Sequence, residues 1–203
     1  MAPAHIERIM EMIPSAEFYM MYGQTEATAR LAYIPSNMID EKLGSAGKAI
    51  PGVKLEIRDE NGTKLLAGQE GEIYATGNNI MMGYWRDPEM TAQAVSDGWL
   101  KTGDIASMDE DGYIYITGRR TDMIKSGANR ISPQEIEEKL AELAGIEECA
   151  AIGIPDEIMG QVVKLYIVKN EQIDVTKQTI MKHCKDTIAQ YKWPKQIEFV
   201  DNL

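Results

Sequence analysis

Cysteine and histidine are scarce: two of each in 203 residues. Cys149 and Cys184 stand far apart, with no Cys-x-x-Cys spacing and no histidine placed beside them. That excludes a disulfide framework and a zinc-type cluster and leaves two small core residues in a reducing compartment. His5 and His183 fall in helical patterns and read as helix-face residues rather than ligands or bases. Positive charge is short as well. Against 21 Lys and Arg stand 32 Asp and Glu, a net charge of −11 without a long run of either sign. Phosphate binding along a nucleic acid needs a basic stripe, so nucleic acid is excluded as a partner and the acidity is a solvated surface. No apolar run approaches the roughly 20 residues of a membrane span, and no basic start leads into an apolar block, so a cytoplasmic protein is expected. Repeats, low-complexity tracts and Gly/Ser linkers are missing too. The length allows one domain or two.

The periodicity that is present favours two. Ile6, Ile9, Met10 and Ile13 recur at helical spacing and predict an amphipathic helix ended by Pro14. A strand over 17–21 follows, then strands over 53–57, 71–76 and 113–117, separated by turn signals such as Asp59-Glu60-Asn61-Gly62 and Asp109-Glu110-Asp111-Gly112. Residues 50–118 are therefore expected to be β-rich and antiparallel, with few helix-forming windows. The pattern changes near Arg119. Ser132-Pro133-Gln134-Glu135 matches a capping box with proline at the first helical position, and Ile136, Leu140 and Leu143 form one face of a helix over 133–143. Strands over 149–154 and 162–168, a helix over 176–190 and a strand over 196–200 complete an α+β order. That predicts a small domain with a three-stranded sheet and helices after a β-rich larger one, divided as 1–119 and 120–203.

Tyr22-Gly23-Gln24-Thr25-Glu26 packs an aromatic face, a bare backbone, a hydroxyl and a carboxylate into five residues. Tyr22 suits a purine face, Gly23 close backbone approach, Thr25 a phosphate oxygen, and Glu26 a hard cation such as Mg²⁺. The same string also serves as a polar turn after a strand. Other segments accompany it: Gly71-Glu72-Ile73-Tyr74-Ala75-Thr76-Gly77, Met82-Gly83-Tyr84-Trp85, Thr102-Gly103-Asp104, Gly118-Arg119, and Ser126-Gly127 leading to Pro133-Gln134-Glu135-Ile136-Glu137. By themselves, Gly71-Glu72 and Gly83-Tyr84 read mainly as architecture. No GxxxxGK[ST] loop is present; Gly44-Ser45-Ala46-Gly47-Lys48 has the wrong spacing.

In this order and at these separations, the set resembles the adenylate-forming enzymes: acyl-CoA synthetases, adenylation domains of peptide synthetases, and luciferases. The resemblance runs over nearly the whole chain. It implies an enzyme that activates a carboxylic acid with ATP to acyl-AMP and pyrophosphate and then transfers the acyl group to coenzyme A. Tyr22 and Gly23 would border adenine, Thr25 the α-phosphate and Glu26 the Mg²⁺, making Thr25 and Glu26 the catalytic pair. Asp104 and Arg119 would take the ribose, and Ser126 and Gly127 would line the pantetheine arm of CoA. Arg120, Thr121 and Asp122 fall at the hinge between a large AMP-binding domain and a mobile lid; where relatives place Asp or Lys, this chain has Thr121, leaving the pivot to Thr121 or Asp122. The chain then corresponds to the last part of the large domain and most of the lid. The upstream phosphate-gripping loop and the downstream catalytic lysine fall outside it, so these residues alone are expected to be inactive. Surface meant for the missing N-terminal part is a route to a homodimer. A carrier-protein thiol in place of CoA, or a non-catalytic nucleotide-binding scaffold, are the alternatives. The acid itself is not legible, and fatty acid metabolism is the setting the resemblance suggests.

Overall fold

The computed structural model describes residues 3–170 and 172–203, the side chains of residues 4 and 5 aside, so the reading of His5 as a helix-face residue lies outside the described residues. The chain divides into two compact units, residues 3–120 and 121–203, one residue later than the expected division, because Arg120 is bonded to Gly103 and Glu72 of the first unit.

The first unit begins with α1 (Pro3–Met12), followed by β1 (Met20–Tyr22), β2 (Ala32–Ile34), β3 (Gly47–Ala49), β4 (Val53–Arg58) and β5 (Gly71–Gly77). Then come α2 (Pro88–Ala94), β6 (Val95–Ser96), β7 (Trp99–Met108) and β8 (Tyr113–Arg119). The strands form one antiparallel sheet in the order β1-β2-β3-β8-β7-β5-β4, with β6 folded back on β7. Alternation along β5 and β7 sends Ile73, Ala75, Leu100 and Ala106 into the core with Leu31, Ala32, Ile57 and Ile114. Ile6 of α1 packs with Ile34, Ile39 and Tyr113. Three expectations need correction. Ile13 is exposed, because α1 ends at Met12 and Pro14 follows. The strand expected over 17–21 is Met20–Tyr22, since its ladder partner, β2, is itself three residues long. The helix α2 interrupts the β-rich stretch; its signal was local, Asp87 accepting from the Met90 N–H with Pro88 in the first turn.

The second unit contains β9 (Ile124–Ser126), β10 (Asn129–Ile131), α3 (Pro133–Ala141), β11 (Ile146–Asp156), β12 (Gly160–Lys169), α4 (Lys177–Thr187) and β13 (Gln196–Phe199). Its sheet has five strands rather than the expected three. β12 is central, with β11 along one side, and β13 (parallel) and the short β9–β10 hairpin along the other. That hairpin carries no signal in the sequence, because three-residue strands show no visible alternation. Ile136 and Leu140 of α3 and Ile180 and Cys184 of α4 close a core with Val163, Leu165 and Ile167, and Cys149 packs against it. Ser132 caps α3 by accepting from the Glu135 N–H, while the Glu135 carboxylate meets the ammonium of Lys192. The helices end earlier than expected, α3 at Ala141 and α4 at Thr187, where Ile188 turns to extended backbone yet still packs inward.

Candidate functional site

The Tyr22 segment leaves β1, makes a single 3-10 turn over Thr25–Ala27, and returns to β2. The Leu31 N–H donates to the Tyr22 carbonyl at 2.8 Å and closes the loop. Thr28 and Ala29 both sit in the left-handed region, φ +52° and +67°, an arrangement that non-glycine residues adopt only when their surroundings impose it. Those surroundings come from the turn after β5. Asn79 donates its amide to the carbonyls of Ala27 and Arg30, Thr28 Oγ1 donates to the Asn79 carbonyl, and the Met81 N–H donates to the Glu26 carbonyl. Gly23 is explained by the loop itself: a Cβ there would lie 2.3 Å from the Ala29 carbonyl oxygen.

β7 carries Thr102-Gly103-Asp104 on a bulge. Opposite it on β5 the register jumps between Glu72, paired with Ile105, and Tyr74, paired with Lys101, so three residues face Ile73 alone. Gly103, at φ +77°, turns the strand, and Thr102 Oγ1 donates to the Ile73 carbonyl. The bulge aims Asp104, 5% exposed, at two donors. Arg119, its cross-strand neighbour on β8, gives Nε to Oδ1 at 3.0 Å, and the Tyr22 hydroxyl gives its hydrogen to Oδ2 at 2.7 Å. β1 and β7 stand four places apart in the sheet, roughly 19 Å if it were flat, so the Tyr22–Asp104 bond records strong curling. Burial, then the bonded Asp104 carboxylate, pushes the Tyr22 phenol far above its ordinary range, so it stays a donor.

Two residues read as architecture belong here. The Tyr84 hydroxyl donates to Glu26 Oε1 at 2.8 Å, and that bond, before burial, raises the Tyr84 phenol. Glu72, 9% exposed, accepts from the Gly103 N–H at 3.1 Å and from Arg120 Nη1 at 3.0 Å, while the Arg120 N–H donates to the Gly103 carbonyl at 2.8 Å. Sequence gave no warning of either, since Tyr84 lies 58 residues from Glu26 and Glu72 lies 48 from Arg120. Thr121 and Asp122 form an exposed turn in which Thr121 Oγ1 donates to Asp122 Oδ1.

Tyr22, Asp104 and Arg119 thus converge, as do Glu26 and Tyr84; Thr25 is exposed on the turn between them. Ser126 and Gly127 belong to the second unit. Ser126 is buried, and the Gly127 N–H, at φ +58°, donates to the Met159 carbonyl at the tip of the β11–β12 hairpin. Among the described residues no group of three or more His, Cys, Asp or Glu side chains could enclose a metal ion. The donor set at Glu26 fits Mg²⁺ in its usual manner, one carboxylate with the remaining positions filled by water and substrate phosphates. Asp104 fits a diol: a carboxylate offers about four acceptor positions, and Tyr22 and Arg119 occupy one on each oxygen.

The comparisons agree on one class of protein. The structure superposes on o-succinylbenzoate CoA synthetase of Bacillus subtilis, solved with an acyl-adenylate intermediate, with a TM-score of 0.91 and 30% identity over 100% of this chain and 41% of that one. It matches the amide bond synthetase of Marinactinospora thermotolerans equally well, at a TM-score of 0.91 and 32% identity over 100% of this chain and 42% of that one. A long-chain-fatty-acid–CoA ligase of Yersinia pestis is 39% identical over 182 residues, 90% of this chain and 32% of the relative. The AMP-binding enzyme model matches residues 1–85 and the AMP-binding enzyme C-terminal domain model residues 135–203, together more than half of the sequence, so the chain belongs to the AMP-binding enzyme family. It spans about a third of the length of the curated relatives it matches. No helix among the described residues is long and apolar enough to cross a membrane.

Proposed function

We propose that the chain is the nucleotide-handling end of an AMP-forming acid–CoA ligase, residues 3–120 closing the large AMP-binding domain and residues 121–203 forming most of its lid. Tyr22 and Gly23 border adenine, Asp104 and Arg119 hold the ribose, Thr25 meets the α-phosphate, and Glu26, steadied by Tyr84, holds Mg²⁺. The metal supplies charge neutralisation at the phosphates. The residues of the chain orient the nucleotide for in-line attack by a carboxylate, and preorganised donors contribute because they need no rearrangement at the moment of reaction. Ser126 and Gly127 receive the pantetheine arm. Catalysis is assigned to the whole protein: acid-dependent pyrophosphate–ATP exchange by these 203 residues alone is expected to be absent. A cytoplasmic setting, a role in fatty acid metabolism and a homodimer through exposed apolar surface belong to the same reading.

The observation that supports it best is Asp104, a buried carboxylate with one donor on each oxygen and acceptor positions to spare. AMP titration into wild type and Asp104→Ala tests it. Losing the carboxylate removes two hydrogen bonds to a charged acceptor, about 1.5–3 kcal/mol each, and is expected to weaken AMP at least tenfold. Equal affinities would refute the ribose assignment, and no binding by either protein would favour the scaffold reading or a site that needs the rest of the large domain. The similarity to an amide bond synthetase supports a second acceptor, an amine in place of the thiol. Offering CoA, a pantetheinylated carrier and an amine to the full-length protein separates the three.

A further inference from the structure

Tyr22 was expected to serve a nucleotide through its ring. The structure gives the ring and the hydroxyl different tasks. The ring packs against both core clusters of the curled sheet, the one around Leu31 and Leu100 and the one around Ile73 and Ile114. The hydroxyl reaches across four strand positions to Asp104 Oδ2, and because burial and that carboxylate hold it protonated it remains a donor at any physiological pH.

We propose that Tyr22 is the positioning residue that makes the site selective for ribose over deoxyribose, acting through the Asp104 carboxylate; the inference rests on the ribose assignment above. Asp104 sits on a bulge that leaves it paired with Arg119 on β8 and without a partner of its own on β5, and its carboxylate plane can turn about the last side-chain torsion. A donor on one oxygen would fix that oxygen alone. Donors on both, Arg119 Nε on Oδ1 and the Tyr22 hydroxyl on Oδ2, fix the carboxylate plane and leave one acceptor position on each oxygen. Two acceptors side by side match the two adjacent hydroxyls of a ribose and are half wasted on a sugar with one. Arg119 anchors less firmly than the phenol: its side chain is 60% exposed and water competes for it, whereas Tyr22 is half-buried and held by core packing. Without the phenol the carboxylate turns about the Arg119 bond, and one sugar hydroxyl serves it nearly as well as two.

The test is equilibrium titration of AMP, 2′-deoxy-AMP and 3′-deoxy-AMP into wild type, Tyr22→Phe and Asp104→Asn, the last keeping the shape of the side chain. Wild type is expected to prefer AMP over either deoxynucleotide by about tenfold or more, the size of one hydrogen bond to a charged acceptor. Tyr22→Phe, which keeps the ring and its packing, is expected to bring both ratios to within about threefold while 3′-deoxy-AMP affinity changes little. A purely structural role for Tyr22 would weaken all three nucleotides together and leave the ratios alone, and that pattern overturns the proposal. Wild type that binds AMP without discriminating overturns it too and spares the nucleotide site. Wild type that binds none of the three removes the nucleotide reading and this inference with it. Asp104→Asn, which loses the charge, is expected to abolish discrimination outright; selectivity retained there would show that Asp104 is not the group being positioned.

Discussion

Replacing Glu72 by alanine tests the bulge that carries Asp104. The carboxylate, almost buried between β5 and β7, accepts from the Gly103 N–H and from Arg120 Nη1, and the two bonds differ in worth. Gly103 lies at the crest of the bulge, outside the ladder, so its N–H has no strand partner to fall back on once the carboxylate is gone. A hydrogen bond to a charged acceptor contributes about 1.5–3 kcal/mol. The Arg120 pair is different: the arginine side chain is 55% exposed, water replaces its partner, and such pairs measure about 0.2–1 kcal/mol. Glu72→Ala is therefore expected to destabilise the first unit by about 2–3 kcal/mol, and Arg120→Ala by less than about 1. Urea titration gives the free energies, and amide hydrogen exchange gives the location: Gly103 should lose protection in Glu72→Ala and keep it in Arg120→Ala. Equal costs for the two variants, or a Gly103 amide still protected without Glu72, would show that the bulge is held by something other than this carboxylate.

The second unit and the thiols give two more. Gly127→Ala places a side chain at φ +58° with Met159 Cε 3.0 Å away; the flexible methionine can yield and the backbone cannot, so a loss of about 1–2 kcal/mol in the unfolding free energy of the 121–203 unit, measured by urea titration, is expected. Burial, with Glu137 adding to it, pushes the Cys149 thiol up to about 12, and burial pushes Cys184 up to about 11, against an ordinary 9.0. Neither should react with a thiol reagent at pH 8 in the folded chain, and both should in urea. Because their folded values are raised, the unfolded chain loses these protons first. The stability they protect is complete below pH 9 and declines from pH 9 towards 11 and 12, a slope that Cys149→Ala and Cys184→Ala should each reduce in alkaline denaturation.

How far the sequence carried depended on the distance over which a residue's reason lies. Strands β4, β5, β8, β11 and β12 were legible because alternation is a property of five or six neighbours, and α3 because Ser132, Pro133 and the Ile136–Leu140 face all sit within nine residues. Short elements were lost. The seven residues of α2 bury none of their side chains, so no apolar stripe existed to be seen. The residue types of the candidate site were legible through motif order, yet their geometry was not. Tyr22 and Asp104 are 82 residues apart, and only the curl of the sheet joins them. Glu72 and Tyr84 looked like framework beside glycines because their partners, Gly103 with Arg120 and Glu26, lie 31, 48 and 58 residues away.

The same network secures the last residue of the first unit. Arg120 is the last residue of the first unit, and it is tied to the bulge twice, by its own N–H to the Gly103 carbonyl and by its guanidinium to Glu72. A rotation at Arg120 has to break the backbone bond and drag the guanidinium from a nearly buried carboxylate. A rotation at Thr121 or Asp122 breaks neither, since the bond those two residues make is to each other and travels with the turn. Of the three residues that the proposed reading places at a hinge, Arg120 is therefore tied to the first unit, and Thr121 and Asp122 lie outside that network. Gly103, to which Arg120 is bonded, is one residue from Asp104, so whatever orders Asp104 also orders the end of the first unit.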